Sequence, residues 1–207
     1  MQIQVGSNDE SGAANWLAPQ LAAAAVRLVK TGKTYALGFE TSAQTAAYAP
    51  RTWLLTVLQP GQAGGVSLGG TKTIYSDDIY MGRVGTGSQI DGLGHIGVDK
   101  VYCNCNQNSD FVQANGLKSW ASKKSLFVTR AIVLDVMACY GTPMVKEGTA
   151  FNRKEIDEQA KRQGLEIKKG DVVLFHTGWQ ALAGKDNKRF LAGEPGLGRD
   201  GALFVAS

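Results

Sequence analysis

The stretch Gly85–Gly97 reads GTGSQIDGLGHIG. The chain has only two histidines, and one of them, His95, lies here, four residues after Asp91. In an extended segment alternate residues share a face, so Gln89 and Asp91 point the same way. His95, beyond the small residues of GLG, is able to fold back toward them. An amide oxygen, a carboxylate and an imidazole converging from one short stretch suit a divalent cation. The same residues also read as an Asp91-Gly92 turn followed by a hydrogen-bonded loop histidine. Spacing alone leaves both readings open.

The glycines themselves do not spell a nucleotide site. GTGSQI begins as G-x-G but has Ile90 where the third glycine belongs. Gly65 and Gly70 meet the G-x4-G spacing of a phosphate loop, yet Thr71 stands where the lysine would reach the phosphates. A serine or cysteine nucleophile needs a base and an orienting group nearby, and with only His95 and His176 available such a triad has little support.

Composition narrows the rest. A chain of 207 residues, 43% hydrophobic, 19% charged and with net charge +4, suits one globular domain spanning 1–207. Its basic residues come as scattered pairs, such as Lys123-Lys124 and Lys168-Lys169, which argues against nucleic acid as a partner. No apolar run approaches the roughly 18 residues of a membrane span. The opening MQIQVGSNDES lacks the layout of a secretory signal. Three cysteines are an odd count for a disulfide framework, so Cys103 and Cys105 read as incidental thiols, Cys139 as core, and the compartment as the cytoplasm.

Outward from the loop, the elements alternate. PQLAAAAVRLVKTGK (19–33) has a proline fit for a first helical turn, apolar residues at helical spacing, and Gly32 suited to a left-handed cap. TYALGF (34–39) and RTWLLTVLQ (51–59) read as strands, the second apolar enough to be buried. GQAGGVSLGGT (61–71) reads as a mobile loop. LFVTRAIVLDVMA (126–138) reads as a central strand, broken in two or continuous. In FNRKEIDEQAKRQG (151–164) Asn152 and Glu155 form a capping-box pattern and Gly164 stops the helix. GDVVLFHTGW (170–179) is a buried strand, Val172 to Phe175, which delivers His176 at its far end. Strands separated by helices predict an α/β fold, a mixed β-sheet core with flanking helices.

GTGSQIDGLGH resembles the signature of the cyclase family of metal-dependent hydrolases, H-x-G-T-H-x-D-x-P-x-H. That family includes bacterial kynurenine formamidases and isatin hydrolases. Three further segments fall in the family's order: residues 8–38, VTRAIVLDV, and the strand ending in T-G-W. The resemblance implies a swivelling β/β/α-like fold. It gives Asp91 the place of the metal-ligating aspartate and His95 that of the final histidine, the general acid/base of formamidase-type members or itself a ligand. The family's first two histidines correspond to Gly85 and Gln89. Glycine supplies no ligand, while Gln89 offers an amide oxygen, a harder and weaker donor than imidazole. The implied metal set is therefore Gln89, Asp91 and His95, and the implied cofactor a divalent ion, manganese or zinc. The family's further ligands, a histidine and a glutamate, lie after the T-G-W strand. No histidine follows His176, so the resemblance implies a domain incomplete at its C-terminus.

The implied activity is metal-assisted hydrolysis of an amide or lactone in a small, often cyclic, substrate. N-formylkynurenine and a trans-dienelactone are two candidates of that class. His176, Trp179 and Trp53 are candidate substrate-binding residues, with core packing the competing reading for the tryptophans; Trp16 is a further candidate for an apolar wall. A homo-oligomer, dimer or tetramer, is expected by the same resemblance. The competing expectation is a non-catalytic relative that serves as a binding or assembly subunit.

Overall fold

The computed structural model describes residues 9, 11–59, 65–114, 116–117 and 127–206. In chain order the regular elements are α1 (Pro19–Val26), β1 (Trp53–Leu58), β2 (Asp77–Gly82), α2 (Asn108–Phe111), β3 (Val112–Gln113), β4 (Gly116–Leu117) and β5 (Ala131–Asp135). They continue with α3 (Val136–Tyr140), β6 (Ala150–Phe151), α4 (Arg153–Arg162), β7 (Val172–His176), α5 (Asn187–Phe190), β8 (Gly196–Leu197) and α6 (Arg199–Val205). The architecture is mixed α/β, with two-stranded sheets and flanking helices. No helix among the described residues is long and apolar enough to cross a membrane. The chain divides into two compact units. One comprises Met1–Thr34, Ile90–Gly178 and Pro195–Ser207; the other comprises Tyr35–Gln89 and Trp179–Glu194.

The first unit is organised by β5 and β7, paired in parallel with Ile132 opposite Val173 and Leu134 opposite Phe175. Strand alternation sends Ile132 and Leu134 inward and leaves Ala131 and Val133 outside. Helix α4 supplies the other wall: Ile156 and Ala160, one helical turn apart, bury against Leu134, with Leu165, Ile167 and Phe204 packed around them. A second cluster of Val136, Val145 and Phe151 adjoins Phe175. The open side of β5 is closed by a side chain. Gln163 donates its amide N–H to the Val133 carbonyl (2.9 Å) and accepts from the Asp135 N–H (3.0 Å), in the manner of a neighbouring strand.

The start of the β5–β7 pair is clamped by charge. Arg130 donates through Nε (2.9 Å) and Nη2 to the two carboxylate oxygens of Asp171. Burial by itself would raise the Asp171 carboxyl's pKa. The Arg130 hydrogen bond, the Lys168 N–H (2.7 Å) and the charges of Arg130 and Lys168 outweigh it, and the pKa lies below its ordinary value.

Several sequence expectations hold at the level of single residues. Pro19 opens α1 at its first turn, although the helix ends at Val26, before the predicted Thr31, and Gly32 has φ +67°. At α4 the Asn152 N–H donates to Glu155 Oε2 (2.7 Å), and Gly164 follows the helix with φ +65°. The Asn152 side-chain oxygen also accepts from the Gly201 N–H (3.1 Å), tying the starts of α4 and α6 together.

Other expectations are corrected. TYALGF forms no strand; Tyr35 and Leu37 are exposed and no partner strand pairs with this stretch. The apolar run 126–138 is neither one strand nor two: after β5 it turns into α3, whose first turn is capped by the Asp135 carboxylate accepting from the Ala138 N–H (3.2 Å). Cys139 is half-buried rather than core. Of the predicted mobile loop, 61–64 lie outside the described residues, and the remainder closes in a turn through a Leu68–Thr73 bridge.

In the second unit β1 and β2 form an antiparallel ribbon, from Trp53 opposite Gly82 to Leu58 opposite Asp77. The strand expected at RTWLLTVLQ is there, but it is not buried. Leu54, Leu58, Ile79 and Met81 lie on one face, Leu55, Val57 and Tyr80 on the other, and all are exposed. A two-stranded ribbon has no third layer to cover its faces. Trp53 instead stacks on Tyr80, ring centroids 5.1 Å apart, and Gly82 leaves room for its indole.

Candidate functional site

The signature stretch is shared between the two units, whose boundary falls between Gln89 and Ile90. In the first unit Asp91 and His95 come together. Asp91 Oδ1 and His95 Nε2 are 3.7 Å apart, with the side chains 48% and 42% exposed. The intervening chain makes a tight turn, closed by the His95 N–H donating to the Gly92 carbonyl (3.0 Å). Leu93, at the signature's proline position, lies against Gly12, where a Cβ would be 3.0 Å from the leucine methyl. Gly12 has φ +56° and is held in turn by the buried Asp9 carboxylate, which accepts from the Ser11 and Gly12 N–H groups. The turn that carries the acid and the imidazole is thus pinned from the N-terminal segment.

In the second unit Gly87 takes φ +79°, a conformation natural to glycine, and a Cβ there would be 2.7 Å from Thr41 Oγ1. Ser88 Oγ accepts from the Phe39 N–H (2.8 Å). Thr86 is 6% exposed and its hydroxyl lacks a hydrogen-bond partner. Gly85, at the first-histidine position, is occupied from outside. Arg51 Nη1 donates to the Gly85 carbonyl (2.8 Å). A Cβ on Gly85 would lie 2.7 Å from Arg51 Cζ, 3.0 Å from Arg51 Nε and 2.8 Å from Gln89 Oε1. Arg51 is absent from the sequence-derived candidates, because nothing in APRTW (49–53) signals a contact 34 residues away.

The remaining candidates are placed as follows. His176 ends β7 and is exposed, opposite Asp135 in the ladder. Trp179 is 5% exposed and its indole N–H donates to the Phe190 carbonyl (3.2 Å), a packing role within its own unit. Trp53 is half-buried on the ribbon. Trp16 is partly exposed beneath the Lys169 ammonium, 3.2 Å from the ring centre. Beside it is a cavity of about 420 Å³, lined among others by Leu17, Phe127, Val173 and Phe204. Its one carboxylate, Asp171, is already paired with Arg130, so this cavity offers little chemistry.

The donor set determines what metal these residues suit. Donors 3.7 Å apart are within reach of one shared ion, given metal–ligand lengths of about 2.0–2.2 Å for carboxylate and imidazole. Their exposure leaves room for water or substrate beside them. The place of the first histidine does not fit: it holds no donor and faces a guanidinium. Among the described residues no cluster of three or more His, Cys, Asp or Glu side chains is present. One ion on Asp91 and His95 fits; the signature's full set does not.

Residues 35–207 match the family model described as "Putative cyclase". A crystal structure described as a novel cyclase superposes with a TM-score of 0.84, covering 98% of this chain and 70% of that one at 22% identity, a likeness that shows the fold. No curated protein sequence matches the chain.

Proposed function

The chain belongs to the cyclase family, and on that premise we propose that it is a metal-dependent hydrolase opening an amide or lactone bond of a small, often cyclic, substrate. The observation that supports this most is the approach of Asp91 to His95, at the signature's aspartate and final-histidine positions. Asp91 and His95 would hold a divalent ion, with Gln89 contributing its amide oxygen. The oxygen-rich set favours manganese over zinc. Such an ion supplies a polarised carbonyl and a bound water acidic enough to ionise near neutral pH.

The protein's own part is positioning and proton transfer. Asp91 carries the one negative charge of the set and would hold the cation. His95 has two alternative roles: it completes that ligand set, or, free of the ion, its imidazole takes a proton from the attacking water and passes one to the leaving nitrogen or oxygen. His176 and Trp53 are retained as candidate substrate contacts. Trp179 as a substrate contact would need its packed indole to move.

A non-catalytic binding subunit is the second reading, favoured by the guanidinium at Gly85. Elemental analysis and hydrolysis assays separate the two. The hydrolase carries about one manganese or zinc per chain and turns over at least one lactone or formamide, and a chelator abolishes that turnover. Protein that binds neither ion and cleaves no member of such a panel is the binding subunit.

The same reading includes self-association into a dimer or tetramer. The apolar β1–β2 ribbon supports it: Leu54, Leu58, Ile79 and Met81 share one exposed face, apolar surface that a second copy would cover. Light scattering is expected to give a multiple of the 22.0 kDa chain mass; a monomer mass at micromolar concentration would rule it out.

A further inference from the structure

We propose that Arg51 anchors a carboxylate of the small-molecule ligand, at the place where the family signature has its first histidine. The inference rests on the hydrolase reading only in calling that ligand a substrate; the anion site itself needs no metal.

Three observations converge on it. Only Gly85, lacking a side chain, admits the guanidinium, since even a Cβ would come within 2.7 Å of Arg51 Cζ. The arginine is held in position at two points, its Nη1 by the Gly85 carbonyl (2.8 Å) and its backbone N–H by the Tyr48 carbonyl (2.9 Å). Among the described residues no carboxylate forms an ion pair with it. The nearby Glu194 carboxylate is engaged by the Tyr48 hydroxyl (2.8 Å). That hydrogen bond, with burial and the Glu194 charge, raises the Tyr48 pKa, while Arg51 pulls the other way.

Arg51, partly buried and with Nη1 placed by the Gly85 carbonyl, carries the planar fork that carboxylates occupy through two parallel hydrogen bonds. Gln89 borders the same notch, its Oε1 2.8 Å from where a Gly85 Cβ would lie. A second divalent cation beside this fixed positive charge would be repelled. Gly85 is therefore an exchange rather than a loss. The position gives up a metal ligand and admits an anion-binding group.

The test is calorimetric titration of benzoate into the chelator-treated full chain, with benzamide as the neutral control. Wild type is expected to bind benzoate and to ignore benzamide. Arg51→Gln should weaken benzoate binding about tenfold or more, as loss of a charge-assisted pair does. Gly85→Ala should weaken it in the same direction with every charge retained, because the new methyl displaces the guanidinium. Thermal melts of both variants establish that they fold; if Arg51→Gln does not, Gly85→Ala decides. Equal binding of benzoate and benzamide, no benzoate binding to wild type, or undiminished binding to the folded variants would each overturn the proposal. Since the ion is removed throughout, such a result leaves the hydrolase reading untouched. Conversely, absent hydrolysis with intact benzoate binding would sink only the latter.

Discussion

Asp91→Ala is expected to lower kcat by about a thousandfold, with little change in melting temperature and with loss of the bound ion. The side chain is 48% exposed and its Oδ1 lies 3.7 Å from His95 Nε2, so its removal opens no cavity in the core. What is lost is the only carboxylate of the proposed ligand set. A metal ion supplies several kcal/mol of transition-state stabilisation, and each 1.36 kcal/mol is a factor of ten in rate, which gives about three decades. His95→Gln should match that loss in rate while retaining part of the metal, because Asp91 and Gln89 remain. Elemental analysis beside kinetics on the first lactone or formamide found to turn over gives both readouts. If Asp91→Ala keeps its ion and stays within tenfold of wild-type rate, the signature loop is not the metal centre.

The residues in these predictions differ in how visible they were from sequence. Asp91 and His95 are four apart in one turn, and α4 announces itself through Asn152, Glu155 and Gly164, because caps are local chemistry. Apolar content likewise reveals β5 and β7 as strands. It does not reveal partners. TYALGF has strand composition but pairs with no strand among the described residues, and β1 is apolar yet exposed on both faces, because burial depends on what lies opposite rather than on the residue. Gly85 is the sharpest case. Against the signature it reads as a missing ligand, and only the fold reveals that Arg51 has taken the space. Sequence comparison registers what a position loses; it cannot register which distant side chain moves in.

Asp171→Asn is expected to destabilise the first unit by about 2–3 kcal/mol at neutral pH, through loss of the Arg130 fork. The Asp171 side chain is 6% exposed, and its oxygens accept from Arg130 and from the Lys168 N–H. Removing one member of a buried pair costs roughly 3–5 kcal/mol, but Arg130 is 31% exposed and water compensates part of its charge, hence the lower figure. The pH dependence has a definite sign. The folded pKa of Asp171 is lowered, so its contribution is fully present above the unfolded value of about 3.9 and is lost as pH falls through the folded one. Wild type should therefore lose stability below about pH 4 relative to Asp171→Asn, and the two melting curves should converge with acidification. Arg130→Met tests the other half: it strands a buried carboxylate, whose pKa then rises under desolvation, and acid should stabilise this variant relative to wild type. Melting temperatures of the three proteins across pH 2.5–7, a range chosen to bracket the carboxylate pKa, measure all of this. Parallel curves with a constant gap would show that the Arg130–Asp171 clamp contributes shape rather than charge.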